Sequence, residues 1–164
     1  MDRTDFHGLY ERHARDVHRF ALYLSGDAAQ AEDIAAEAFA RAWTETETIR
    51  TATVKAYLFA IVRNLVRQGA RRDRGEVEID AGWIDPKPGP STSLDGRMEL
   101  RAVLAALQKL PEEDRAALLM RAQDGMSHEE IAASLGLSIA AVRVRVHRAR
   151  LQLNALKIRE ERKS

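Results

Sequence analysis

The stretch MSHEEIAASLGLSIAAVRVRVHRARLQLNAL, Met126 to Leu156, decides the fold. Ser127 and Glu130 form an S-x-x-E capping box: the serine hydroxyl accepts the N–H three residues on, and the glutamate reaches back to the serine N–H. A short helix follows with Ile131, Ala132 and Leu135 inside. Gly136 can take the left-handed conformation that ends such a helix, and Leu137 plugs the turn. Ser138 then caps a second helix carrying Val142, Val146, Ala149, Leu153 and Leu156. Two helices joined by a turn of about four residues around a glycine make a helix-turn-helix.

At ~100° per residue, Val142, Val146, Ala149 and Leu153 fall on one side of the second helix. Arg143, His147 and Arg150 lie roughly a quarter-turn away, while Ala140, Val144 and Arg148 lie roughly opposite the core. A face of small residues edged by arginines fits a major groove. The arginines would meet phosphates or guanine edges, and Ala140 and Val144 thymine methyls. The competing reading is a surface helix with solvated arginines; the capping box, the turn glycine and a preceding helix in register weigh against it.

Upstream, helical periodicity runs almost throughout. Phe6, Leu9, Tyr10, Val17, Phe20 and Leu24 recur at three- and four-residue steps until Ser25-Gly26-Asp27 breaks the pattern. A second helix is predicted over about Ala28–Trp43, with Ile34, Ala38, Phe39, Ala42 and Trp43 as its apolar stripe. Thr44–Thr53 reads as a loop, and a third helix follows from about Val54 to Arg72, with Leu58, Ile61, Val62, Leu65 and Val66 inward. Gly75–Gly96 carries three of the four prolines and no helical period, so it reads as a linker. The alternative is an irregular cap packed through Trp83 and Ile84. The second unit starts near Met98, where Leu100, Val103, Leu104, Leu107 and Leu110 make one amphipathic helix. Pro111 is expected at the first position of the next, followed by Glu112, Glu113 and Asp114 in the turn that the helix dipole favours for acids, and that helix ends near Gly125. The prediction is an all-α chain of two small helical domains: an N-terminal helical bundle over 1–74, a Pro/Gly-containing linker over 75–97, and a four-helix domain with the helix-turn-helix over 98–164.

With 164 residues, 45% of them hydrophobic, the chain can bury a core, and its alanine- and leucine-rich, aromatic-poor content (5%) suits helices better than sheets. It has no cysteine, which excludes disulfides and thiolate metal sites. The N-terminus is too charged for a signal peptide and no apolar run approaches the ~20 residues that span a bilayer, so a soluble cytoplasmic protein without membrane insertion is expected. Net charge is +1, yet its distribution is uneven. Acids gather in Asp27–Glu47 and Glu112–Asp114, bases in Arg63–Arg74 and Arg143–Arg150, and two basic patches suggest nucleic acid better than the average charge does.

Three motifs in order match a known family. Leu110-Pro111-Glu112-Glu113, Glu130-Ile131-Ala132 and His147-Arg148-Ala149-Arg150 closely resemble the C-terminal promoter-binding domain of extracytoplasmic-function (ECF) sigma factors of the sigma-70 family. Ala31-Glu32-Asp33-Ile34 with Glu37 and Phe39 resembles the segment that docks on the clamp helices of RNA polymerase. Tyr57 to Leu65 (YLFAIVRNL) followed by Arg71-Arg72 resembles the helix for the −10 promoter element. The resemblance covers nearly the whole chain.

It implies a transcription-initiation factor. The first domain would bind core polymerase through Asp33, Glu37 and Phe39, and the −10 element through Tyr57, Arg63, Asn64, Arg67, Arg71 and Arg72, holding a flipped base near the Thr44–Thr53 loop. The second would read the −35 duplex through Ser138, Ala140, Ala141, Arg143, Val144, His147 and Arg148. An anti-sigma partner is implied; a cofactor, a metal and a small-molecule substrate are not. The chain departs from the family's habits at Ala140-Ala141 (often Gly-Thr) and Val144 (Ser), which points to an unusual −35 preference, and also at Ala36 (Gln), Gln68 (Asp) and Tyr57 (Trp). Nothing long follows Leu156, so regulation by a tail is not expected.

Other residues support rival functions weakly. Asp33 and Glu37 share a helix face at i, i+4, as a general acid–base pair would, but solvated surface charge or polymerase docking explains them as well. His7, His13 and His18, spaced six and five apart, do not put three ligands on one helical face. Phe39 and Trp43 are expected to pack the first domain, and Arg71, Arg72 and Arg74 could simply complement a helix C-terminus. No phosphate-binding glycine loop and no nucleophile with a base is present, against an enzyme. A stand-alone helix-turn-helix regulator, dimeric on a palindrome, remains the alternative; the clamp-like N-terminal motif favours the sigma reading.

Overall fold

The computed structural model describes the backbone of residues 3–45, 54–72 and 94–163, and side chains within 5–45, 54–69 and 96–156. Most of the Thr44–Thr53 loop, the linker up to residue 93 with Trp83 and Ile84, and the side chains of Arg71 and Arg72 lie outside the described residues. Seven α-helices and no strand occur among the described residues.

Helix α1 (Arg3–Ser25), α2 (Ala28–Thr44) and α3 (Val54–Arg72) pack on one another. α1 stops at Gly26, whose φ of +73° is a left-handed value that glycine adopts without strain. Asp27 caps α2, its Oδ1 accepting the Gln30 N–H at 3.0 Å. A stripe of alanines on α2 (Ala28, Ala31, Ala35, Ala38, Ala42) is buried, so its backbone approaches its neighbours closely. Phe20 of α1 stacks on Phe59 of α3 with centroids 4.2 Å apart, both fully buried. Removing either ring would cost about 3–5 kcal/mol.

The second unit is α4 (Leu94–Gln108), α5 (Glu112–Ala122), α6 (His128–Leu135) and α7 (Ile139–Lys163). Leu104, Leu107, Leu110, Ala116, Met120, Ile131, Val142, Val146 and Ala149 close its core.

Several expectations shift. α4 starts at Leu94, so 94–97, read as linker, are helical. Val103 points to solvent, half exposed, and so do Tyr10 and Trp43, although Trp43 still meets Phe6 edge-on at 4.7 Å. Each sits at the margin of its apolar stripe, where periodicity alone does not say how far the neighbouring helix extends. Pro111 is the N-cap of α5 rather than its first residue, with φ −53° and ψ 142°, and α5 ends at Ala122, before Gly125.

Candidate nucleic-acid interface

The turn between α6 and α7 is built by local chemistry. Glu130 N–H donates to Ser127 Oγ at 3.1 Å and the Ser127 N–H to Glu130 Oε1 at 3.4 Å, completing the capping box. Gly136 ends α6 at φ +68°, where a side chain would be strained. The Leu137 N–H then closes on Ala132 O at 3.0 Å. Ser138 caps α7 by accepting the Ala141 N–H at 3.1 Å. These four bonds fix α7's starting angle against α6, and with it which residues leave the domain.

Val142, Val146 and Ala149 are buried, as the helical angle predicts. Ser138, Ala140, Arg143, Val144 and His147 are exposed, Ala141 half so; Val144, 58% exposed, is an apolar side chain with no core to join. The result is an open face of small and apolar residues with Arg143 and Arg150 on one edge, the shape and charge that a major groove accepts.

The other edge is different. Arg148 turns back to α5: its Nε and Nη2 donate to Asp114 Oδ2 and Oδ1 at 2.8 and 2.9 Å. Arg145 reaches Asp114 Oδ1 at 3.5 Å and pairs with Glu113. Asp114 is wholly buried, and a carboxylate there is tolerable only because arginines satisfy both oxygens. The bond to Asp114 pushes the Arg148 guanidinium further toward its charged form, while its side chain stays 49% exposed. Arg148, placed opposite the core by the helical angle, is thus held along the helix flank by Asp114.

In the first unit Asn64 and Arg67 are exposed on α3, and Tyr57, half-buried, donates to Glu45 Oε2 at 2.9 Å. Arg63, assigned to the same element, does not share that exposure. It is buried and donates Nε and Nη2 to Glu112 Oε1 and Oε2 of α5 at 2.9 and 3.1 Å. Asp33 and Glu37 stand exposed on α2, Glu37 accepting from Arg41 Nη2 at 3.0 Å. Phe39 does not share that surface: it is 4% exposed, under Tyr10 at 4.9 Å.

Residues that sequence reasoning missed form the joint between the units. Arg115, buried, donates Nη1 to Leu24 O at 2.7 Å, Nε to Leu107 O at 2.8 Å and Nη2 to Leu110 O at 2.9 Å, so one guanidinium closes the carbonyl ends of α1 and α4. Burial lowers its pKa. Asp124 faces Arg19 at 3.1 Å and Lys55 at 3.4 Å, and its burial pushes the carboxyl up in spite of them. The signal for Arg115 was a base set between three acids and the apolar run Ala116–Met120; nothing local marked Asp124.

Against known proteins, the family profile Sigma-70 region 2 matches residues 9–76 and Sigma-70, region 4 matches residues 100–153. The ECF RNA polymerase sigma factor EcfG of Rhodopseudomonas palustris is 37% identical over 142 residues, 84% of this chain and 76% of that one. The ECF RNA polymerase sigma factor SigL of Mycobacterium tuberculosis is 33% identical over 145 residues, 86% and 82% of the two chains. Among solved structures, CnrH in complex with the cytosolic domain of CnrY gives a TM-score of 0.74 at 28% identity, covering 94% of this chain and 88% of that one. The sigma factor RpoE in complex with the anti-sigma factor NepR from Bartonella quintana gives 0.72 at 28%, covering 93% and 96%.

Proposed function

Since this chain belongs to the extracytoplasmic-function group of the sigma-70 family, we propose that it steers RNA polymerase to promoters by holding two DNA elements with two helical units. Family members are DNA-binding initiation factors rather than catalysts, and this chain is read likewise. Residues 1–74 form the polymerase and −10 unit, 75–97 the connection less its helical end, and 98–164 the −35 unit. The observation that carries the reading is the open Ala140–Arg143–Val144–His147 face on a fully capped helix-turn-helix, in one chain with a unit matching region 2.

The roles follow from the exposures. Arg143 and His147 meet base edges and phosphates, Ala140 and Val144 the thymine methyls, and Ser138 and Ala141 the backbone at the α7 N-terminus. Arg148, steered by Asp114, takes a phosphate. On α3, the exposed Asn64 and Arg67 and the half-buried Tyr57 meet the −10 strand, and the family resemblance adds Arg71 and Arg72. Extruding a base there costs a few kcal/mol, which phosphate neutralisation and polymerase binding offset. Asp33 and Glu37 are the polymerase contact. An anti-sigma factor holds the protein in reserve, an expectation supported by the partners in the two solved relatives, and the protein works in the cytoplasm beside polymerase. No described helix is long and apolar enough to cross a membrane.

The test is run-off transcription with purified core polymerase on genomic fragments, with and without the protein. Discrete new start sites are expected with it, and their loss with Asp33→Lys/Glu37→Lys. An identical transcript set with and without the wild-type chain would refute the proposal.

A further inference from the structure

The groove-facing turn of α7 offers a base edge methyl groups and little else. Val144, the sixth residue of α7, stands 58% exposed, and Ala140, one turn earlier on the same side, is exposed with it. The N-terminal turns of a recognition helix are the ones that meet base edges. Two other large apolar side chains are exposed on α7, but Ile139 is turned about 140° from Val144 and Leu151 lies about 10 Å further along the axis. The long donors beside Val144 are already engaged. Arg145 pairs with Glu113, and Arg148 gives Nε and Nη2 to Asp114.

A valine in that place reads in a restricted way. Its two γ-methyls sit on a branched Cβ with one strongly preferred rotamer in a helix, so they are in position before DNA arrives. It neither donates nor accepts a hydrogen bond, so it is blind to the O4 acceptor and the N4 donor that tell thymine from cytosine. What it can distinguish is the C5 position, where thymine carries a methyl group in the major groove and uracil and cytosine carry hydrogen. Cytosine methylated at C5 presents the same group at the same place.

We propose that Val144 selects a C5-methyl group rather than a base, so that thymine and 5-methylcytosine are equivalent to it in the −35 element. The inference rests on the sigma reading above and deepens it, since a promoter with cytosine at that position gains affinity when the cytosine is methylated. Burial of one methyl group corresponds to about a fourfold change in binding. Arg143 and His147, exposed at about 100° and 60° to either side of Val144, contact phosphates and neighbouring bases and do not depend on the methyl.

The test uses holoenzyme and promoter duplexes taken from the run-off transcription. Thymines of the −35 element are replaced by deoxyuridine one at a time, and competition at fixed salt reads the affinity. At the thymine that Val144 meets, loss of the methyl is expected to weaken binding about fourfold. A C·G pair placed there is expected to bind about fourfold tighter with 5-methylcytosine than with cytosine. Each comparison changes a methyl group and leaves base pairing alone. With Val144→Ala both ratios are expected to fall to about one, because the shorter side chain no longer reaches the methyl. Alanine is the better helix former and the position is exposed, so the variant keeps the fold. Arg143→Ala is expected to weaken all four duplexes alike and to keep both ratios. A −35 element whose affinity no uracil alters, a methyl effect on thymine with none on cytosine, or ratios that persist in V144A would overturn the inference. Promoter binding by wild type without a methyl ratio defeats this inference alone, whereas wild type that brings polymerase to no promoter defeats the sigma reading and this inference with it.

Discussion

The two flanks of α7 carry the same residue type and serve different ends. On one, Arg143 and Arg150 stand in solvent beside Val144 and His147; on the other, Arg145 and Arg148 are drawn onto Glu113 and Asp114 of α5. The split is made by the neighbour, not by the helix. Where α5 offers a buried carboxylate, arginine becomes part of the fold; where nothing packs, it stays free for a partner. α3 repeats the pattern with Arg63 tied and Arg67 free.

The comparison can be broken from its tied side first. Asp114→Ala should give the largest stability loss of any change at the two flanks, about 2 kcal/mol, because the half-exposed Arg148 screens part of what a wholly buried pair would cost. Thermal unfolding should show it as a Tm lower by roughly 4–8 °C. A Tm unchanged by the substitution would mean that the tied flank is not structural. On the free flank, Arg143→Ala should leave Tm within about 1 °C of wild type and weaken −35 binding by about 1–2 kcal/mol, roughly tenfold, measured by competition at fixed salt. Should stability fall and binding hold, the two flanks have been assigned the wrong way round.

Sharper and smaller is Gly136→Ala, which places a side chain at φ +68° in the turn that sets α7's angle. A loss of about 1 kcal/mol is expected, read as a lower denaturant midpoint with unchanged m-value. The smallest effect belongs to Asp124→Asn at the joint. Burial raises this carboxyl above its ordinary 3.8, so the folded protein takes up its proton more readily than the unfolded chain. The charged form therefore costs stability above the raised value, and the cost fades as pH falls through it toward 3.8. Asp124→Asn should change stability at pH 7 by less than about 1 kcal/mol and remove that gain on acidification; a variant whose Tm–pH curve overlays the wild type would refute the assignment.

What could be read from the sequence was what local chemistry decides. Ser127, Glu130, Gly136 and Ser138 act through backbone groups within three or four residues, so the capping box, the left-handed stop and the second cap all appear where their spacing put them. The inward sets of α1, α2, α4 and α7 follow from period alone, and their errors lie at stripe edges, in Tyr10, Trp43 and Val103. Whether an arginine is free could not be read that way. Arg148 and Arg143 differ by five positions on one helix, and only the placement of α5 separates them. The resemblance of its helix assigned Arg63 to the −10 element, but no local signal showed its bond to Glu112, 49 residues away. Tertiary neighbours decide such cases, and a helical wheel carries none.

The most direct test of the account is a hydroxyl-radical footprint of holoenzyme on a promoter this factor recognises, made with wild-type chain and with Arg143→Ala. The account predicts that protection upstream, over the −35 duplex, is lost in the variant while protection around −10 and the polymerase contacts persist. Upstream protection unchanged by the substitution would contradict the claim that α7 reads that element.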